Sequence, residues 1–371
     1  MSSGHTECAP LGARIRKARE ALSWTQTKLA EAAGFASFQI VSVIEKGQRE
    51  VKAWELSKIA AALHVSVDTL LRGEAIQSAT VQWRDKIGEN SKELEARFLE
   101  RCGRYRLLEQ WCQAKPPKQL HNLQLNPCPS FEDVQAEADK MRLFMELGGR
   151  PSLSLSKALE EDYGVKIFHD DLEEQGSALS ARGDFGMAIL LNATDSPWRR
   201  NFSLAHELFH LLSPPEIAGL GSERVEQLAD VFASQLLLPA GSIQEFLTSR
   251  VNEGKITYGC LIQGARGFSV SSEALLWRLV NMKKITKEQV EGALSNATFR
   301  SLDRASFQPS DPPPRLPERY VRLCMVAYNR GKLGLGRVAD FLETSLVDLA
   351  GVVSMDGELT DESVETQLSI A

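Results

Sequence analysis

The chain has 371 residues, 43% apolar and 25% charged, with a formal net charge of −6. That composition describes an ordinary globular protein with material for two or three domains. No run approaches the roughly 18 apolar residues of a membrane helix, and Met1 to Pro10 lacks the apolar core of a signal peptide, so a cytoplasmic protein with no membrane partner is expected.

Residues 11–73 read as a compact set of short helices. Leu11, Ile15, Ala18 and Leu22 keep helical spacing, as do Leu56, Ile59, Ala60 and Leu63. Between them, a helix from Thr25 closes at Gly34, and a second from Gln39 closes at Gly47. Residues 1–73 hold ten Lys+Arg and seven Asp+Glu, a local excess of +3 that leaves −9 for the remainder. The charge that suits a phosphate backbone is therefore confined to one segment. A charge-rich helical stretch is expected from about Val81 to Trp111, then a break at Lys115-Pro116-Pro117-Lys118 and another at Asn126–Ser130. Ser130 is placed to cap a helix that runs through Phe144. After a helix over 155–164, three short β-like runs follow, Val165–His169, Ala178–Arg182 and Met187–Asn192. Further helices are expected around His206, over 223–238 and over 255–295. Asp311-Pro312-Pro313-Pro314 reads as a linker to a last helical unit from Leu316 to Val353, with a frayed acidic tail beyond it.

Six cysteines (Cys8, Cys102, Cys112, Cys128, Cys260 and Cys324) form no C-x-x-C pair, which leaves histidines and carboxylates as the candidate metal ligands. Leu204-Ala205-His206-Glu207-Leu208-Phe209-His210 contains H-E-x-x-H. On a helix, positions i and i+4 share a face, so His206 and His210 can reach one zinc ion, and Glu207 beside them is placed as the base. Zinc would bring the pKa of a water to about 7 and supply a nucleophile at neutral pH. The flanking Phe202, Leu204, Ala205, Leu208, Phe209, Leu211 and Leu212 make this helix apolar nearly all round. Two imidazoles and a carboxylate buried in it are costly unless a metal satisfies them. A third ligand is expected from Glu226, with Glu223 as competitor. Asp230, one turn after Glu226, suits the second ring N–H of a ligating histidine. His169 is read as an incidental loop-edge histidine.

Trp198–His210, followed by Glu226-x-x-Ala229-Asp230-x-Phe232-Ala233-x-x-Leu236-Leu237-Leu238-Pro239, resembles the ImmA/IrrE family of metallopeptidases. The family patterns are roughly R-F-T-x-A-H-E-x-G-H and E-x-x-A-N-x-F-A-x-x-L-L-M-P. Here Ser203 stands for Thr, Phe209 for Gly, Asp230 for Asn and Leu238 for Met. The resemblance covers about residues 150–280. It implies a zincin-like α+β domain with a small sheet over the metal helix, and a repressor protein as the substrate. Tyr163, Tyr258 and Arg278 are open candidates for stabilising the oxyanion.

Thr25-Gln26-Thr27-Lys28-Leu29-Ala30 with Ser42-Val43-Ile44-Glu45-Lys46-Gly47 resembles the helix-turn-helix of the XRE, or Cro/cI-like, repressor family, with a loop one residue longer than its commonest pattern. The resemblance implies a lambda-repressor-like five-helix domain that binds an operator in double-stranded DNA as a homodimer. Gln39 and Ser42 are expected at base edges, and Gln26, Lys28, Lys46 and Arg49 at phosphates. Val43, where relatives carry a polar side chain, would meet a thymine methyl or mark weaker readout.

The expected protein is mainly α, α+β overall. It comprises a helix-turn-helix domain (11–73), a helical connector (80–150), a zinc metallopeptidase domain (151–298) and a helical C-terminal extension (316–353). Two rival readings are a transcription factor whose peptidase-like domain only senses a ligand or metal, and a helix-turn-helix that pairs with other proteins.

Overall fold

The computed structural model describes residues 11–72, 80–83, 91–172, 176–251, 255–307 and 311–353. The expected acidic tail lies outside them. The chain divides into two compact units: residues 1–81 with 87–107 and 182–185, and residues 82–86, 108–181 and 186–371.

The first unit contains five short helices: α1 (Leu11–Ala21), α2 (Gln26–Ala32), α3 (Phe38–Glu45), α4 (Ala53–Ala62) and α5 (Val67–Arg72). Their apolar faces meet in a core built around Ile15, Leu29, Val41, Ile44, Ile59 and Leu63. Local chemistry sets the boundaries. Thr25 caps α2 by accepting from the Lys28 N–H at 3.1 Å, and Ser37 caps α3 by accepting from the Gln39 N–H at 3.2 Å. Gly34, at φ 66°, takes the left-handed conformation that turns the chain from α2 towards α3. Helices α1 and α3 approach so closely at Gly12 that a Cβ there would strike the carbonyl oxygen of Ile44. Glu45, nearly buried, receives both arms of Arg19 at 2.7 and 3.0 Å and the Gln26 amide at 2.8 Å. One side chain thus ties three helices together, with the bidentate geometry that a buried ion pair requires.

The stretch from Val81 departs from expectation. Thr80–Trp83 forms a strand, β1, and the following helix α6 spans Ser91–Trp111, with residues 84–90 outside the described set. Thr, Val and Trp favour the extended chain, and here a sheet edge is available to pair it. Then come α7 (Phe131–Phe144), a 3₁₀ turn (Pro151–Leu153), and α8 (Leu155–Lys157), which runs into a π-turn (Ala158–Asp162). Ser130 and Asp133 cap α7 reciprocally, at 3.1 and 2.9 Å.

Strands β2 (Lys166–Asp170), β3 (Ala178–Gly183) and β4 (Gly186–Asn192) coincide with the three expected β-like runs to within a residue or two. The sheet order is β1-β3-β4-β2. β2 and β4 are parallel, with Phe168 opposite Leu190, and β3 turns into β4 through Asp184 and Phe185. β4 sits between two neighbours and is buried over Ala188–Asn192, which explains its unbroken apolar run.

Helices α9 (Pro197–Leu212) and α10 (Ser222–Leu237) follow, separated by a 3₁₀ turn over Pro215–Leu220. The remaining helices of the second unit are α11 (Ala240–Arg250), α12 (Tyr258–Gly267), α13 (Ser272–Asn281), α14 (Lys287–Ser295), α15 (Ala297–Ala305), α16 (Glu318–Asn329), α17 (Leu335–Phe341) and α18 (Leu346–Val353). α16 packs back onto the unit. Arg319 meets Glu109 at 2.7 Å, Glu109 meets Lys166 of β2 at 3.0 Å, and the Tyr320 ring lies edge-on to Phe168.

Candidate functional site

α9 begins at Pro197, whose missing N–H is no loss at a first helical position. It runs through the core with every residue from Ser203 to Phe209 buried. α10 lies against both α9 and α7. Ala205, Ala229 and Ala233 are fully buried, and Phe209 meets Phe232 with ring centroids 5.6 Å apart. Small residues let the two helices come close, and the aromatic pair fixes their register. This packing brings His206, His210 and Glu226 together, with one ligand atom from each within 4.8 Å of the others. Glu223, the competing ligand, is exposed and outside that group.

The distances test whether a metal fits. His206 Nε2 is 3.0 Å from Glu226 Oε2 and 3.1 Å from His210 Nε2, and His210 Nε2 is 3.4 Å from Glu226 Oε1. Ligands about 2.0–2.1 Å from a tetrahedral zinc stand about 3.3 Å from one another, so the spacing suits that ion. The donor set agrees. His206 Nδ1 lies 2.9 Å from Asp230 Oδ1. With its proton directed to that carboxylate, Nε2 turns a lone pair toward the Glu226 oxygen and the second imidazole. Three lone-pair atoms facing one point repel each other unless a cation or protons lie between them. Half-burial pushes the Glu226 carboxyl up, but with protons rather than a metal between these atoms, hydrogen bonds and charge from the imidazoles outweigh it and hold the pKa down at about 2. Glu226 is therefore an anion at neutral pH, as a ligand must be. Glu207 lies on the same helix between the two histidines and is fully buried.

The three oxyanion candidates have the following contacts. The Tyr163 hydroxyl lies 3.5 Å from the Phe144 carbonyl oxygen, and Tyr258 packs edge-on against Phe299. Arg278 is buried and donates from Nε to the Leu238 carbonyl at 3.0 Å, which holds the C-terminal end of α10. His169 is not on the loop edge that the sequence implied; it lies within β2. Burial, and then the positive Arg200 nearby, push its pKa down to about 4 against the opposing pull of a hydrogen bond to the Pro314 backbone.

In the helix-turn-helix unit the six expected DNA contacts separate into two groups. Gln39 and Lys46 are exposed and Ser42 is half-buried, all on or just past α3. Gln26 is bound to Glu45, Lys28 pairs with Glu93 at 3.1 Å and stacks over Trp24, and Arg49 meets Glu55 at 2.8 Å. Phe38, which the sequence reading left outside the second helix, is its first residue and is 49% exposed. Ser37 was the available signal, since a serine ahead of an apolar run marks a helix start.

Comparison with known proteins agrees with this division. Residues 15–70 match a family model described as helix-turn-helix, and residues 160–280 match a peptidase family model described as IrrE N-terminal-like domain. No curated protein matches the chain. The first match runs from within α1 through α4 to most of α5. The second contains β2 to β4, α9, α10 and the whole His206–His210–Glu226 group. The chain thus joins a segment of the DNA-binding helix-turn-helix type to a metallopeptidase-type segment, the fusion that its motifs implied.

Proposed function

We propose that the chain is a DNA-binding regulator whose second unit is a zinc-dependent endopeptidase, acting on a repressor protein to control stress or mobile-element genes. The observation that carries the enzymatic half is the convergence of His206, His210 and Glu226 atoms at 3.0–3.4 Å, with Asp230 set behind His206. In this reading those three residues hold the ion, and Asp230 keeps His206 in the tautomer that offers Nε2. Zinc bound there would supply Lewis acidity, lowering the pKa of a water and polarising the scissile carbonyl. Glu207 takes the proton from the attacking water and returns it to the departing amine, its buried position keeping bulk solvent away from that exchange. The neighbouring apolar side chains of α9 and α10 exclude competing water and strengthen each charge interaction. The first unit is proposed to place this activity at an operator as a homodimer, two α3 helices meeting the major groove about one DNA turn apart.

Zinc content of the purified chain and of single alanine variants tests the ligand set. One zinc per chain is expected in the parent protein and in Glu223→Ala, with strong loss in His206→Ala, His210→Ala and Glu226→Ala. Equal loss from the Glu223 and Glu226 variants would overturn the assignment.

A further inference from the structure

The face of α3 opposite the core carries an unusual set of groups. Val41, Ile44 and Glu45 are buried, while Phe38 and Gln39 are exposed and Ser42 and Val43 are half-buried. At helical spacing these last four lie along one face. The eight residues of α3 include no Lys or Arg, and the lone charge, Glu45, is taken up by Arg19 and Gln26. The outer face therefore offers one aromatic ring, one amide, one hydroxyl and one branched aliphatic side chain.

Base edges in the major groove ask for different partners. Guanine presents two acceptors, N7 and O6, best met by the cationic donors of Arg or Lys. Adenine presents an acceptor beside a donor, N7 and N6, which a carboxamide meets with both its atoms. Thymine adds a C5-methyl group that only apolar surface satisfies. On α3 the guanine readers are missing, while the adenine and thymine readers are both present and adjacent. Ser37 caps the helix immediately before Phe38, so ring and amide stand at the N-terminal end, the end that a recognition helix directs to base edges. Lys46, the exposed cation nearest α3, stands at its C-terminal cap, away from that end, and Arg49 is already paired with Glu55.

We propose that α3 reads A·T pairs: Gln39 bonds adenine N6 and N7, and Phe38 with Val43 packs on thymine C5-methyl groups. The operator half-site is then an A·T core whose recognition needs thymine methyls. This inference rests on the DNA-binding reading of the first unit and specifies the bases that it reads.

The test uses the full-length chain. Duplexes are selected from a random library, and in the selected sequence each thymine is replaced in turn by uracil, which pairs identically but lacks the methyl. An A·T-centred half-site is expected. Uracil at one or two positions should weaken binding roughly fourfold, the worth of a buried CH₂-sized group. Phe38→Ala should lose the uracil effect at the thymine that Phe38 covers while keeping it at the one that Val43 covers, and Gln39→Ala should relax the preference for adenine at one position. Phe38 is half-exposed, so its loss leaves the core of the unit intact, and the uracil series on the parent chain needs no variant. A G·C-centred half-site, or thymine-to-uracil changes without effect, would overturn the inference while leaving DNA binding in place. Selection that enriches no duplex would overturn both.

Discussion

Asp230 meets the proposed ligand set through His206, and the effect of removing it follows from that contact. Its Oδ1 lies 2.9 Å from His206 Nδ1, on the ring's far side from Glu226. Asp230→Ala would leave the three proposed ligands in place but free His206 to turn and to carry its proton on either nitrogen. Loss of such an outer partner typically lowers metal affinity about 10- to 100-fold, or roughly 1.4–2.7 kcal/mol. The Asp230 side chain is 55% exposed, so water can take its place in part, and the lower end of that range is expected. Asp230→Asn keeps an acceptor oxygen at the same place and should recover most of the loss. Zinc affinity measured by competition with a calibrated chelator decides the matter. An alanine variant that binds zinc as tightly as the parent, or one as severely impaired as His206→Ala, would refute the reasoning.

Three further outcomes follow from buried contacts. Glu45→Ala takes the buried carboxylate from Arg19, which keeps the Trp24 carbonyl and the exposed Glu20, and should cost the first unit on the order of 3 kcal/mol, read as an early thermal transition with zinc content unchanged. Gly12→Ala should destabilise the same unit by about 1–3 kcal/mol, because the new methyl meets the backbone oxygens of Ile44 and Glu45, which cannot rotate away; a denaturation midpoint unmoved by this change would contradict the close packing of α1 on α3. His169, with its pKa near 4 in the fold against an ordinary value of 6.5, binds a proton more readily in the unfolded chain. Its contribution is full above about pH 6.5 and is lost as the pH falls toward 4, by at most about 3 kcal/mol. Urea titrations at pH 7 and pH 5 should show a smaller loss of stability in His169→Gln than in the parent, and identical losses would refute the assignment.

The cluster of His206, His210 and Glu226 is legible in the sequence because its spacing is local. His206 and His210 lie one turn apart, as do Glu226 and Asp230, and each pair sits on a helix whose apolar pattern is plain. That Glu226 rather than Glu223 lies beside the histidines comes only from the packing of α10 on α9. Partners that are distant in sequence leave no such local signal. Lys28 looks like a free cation until Glu93 is brought to it, and Gln26 like a free amide until Glu45 is. β1 was missed because four residues of extended chain gain their stability from a sheet edge that no local pattern reveals. Phe38 was missed for a smaller reason: the start of α3 depends on the Ser37 cap rather than on apolar periodicity.

The central claim is that Glu207 moves a proton in a peptide hydrolysis supported by zinc on His206, His210 and Glu226. Glu207→Gln removes the base and keeps the size of the side chain. Zinc content and proteolysis should be measured together on the parent and this variant, with a repressor encoded beside the gene, or the chain itself, as substrate. One zinc in both proteins and cleavage by the parent alone is the expected result. Zinc in both with cleavage by neither would favour a sensor, cleavage by both would remove Glu207 from the chemistry, and no zinc in either would contradict the metal centre itself.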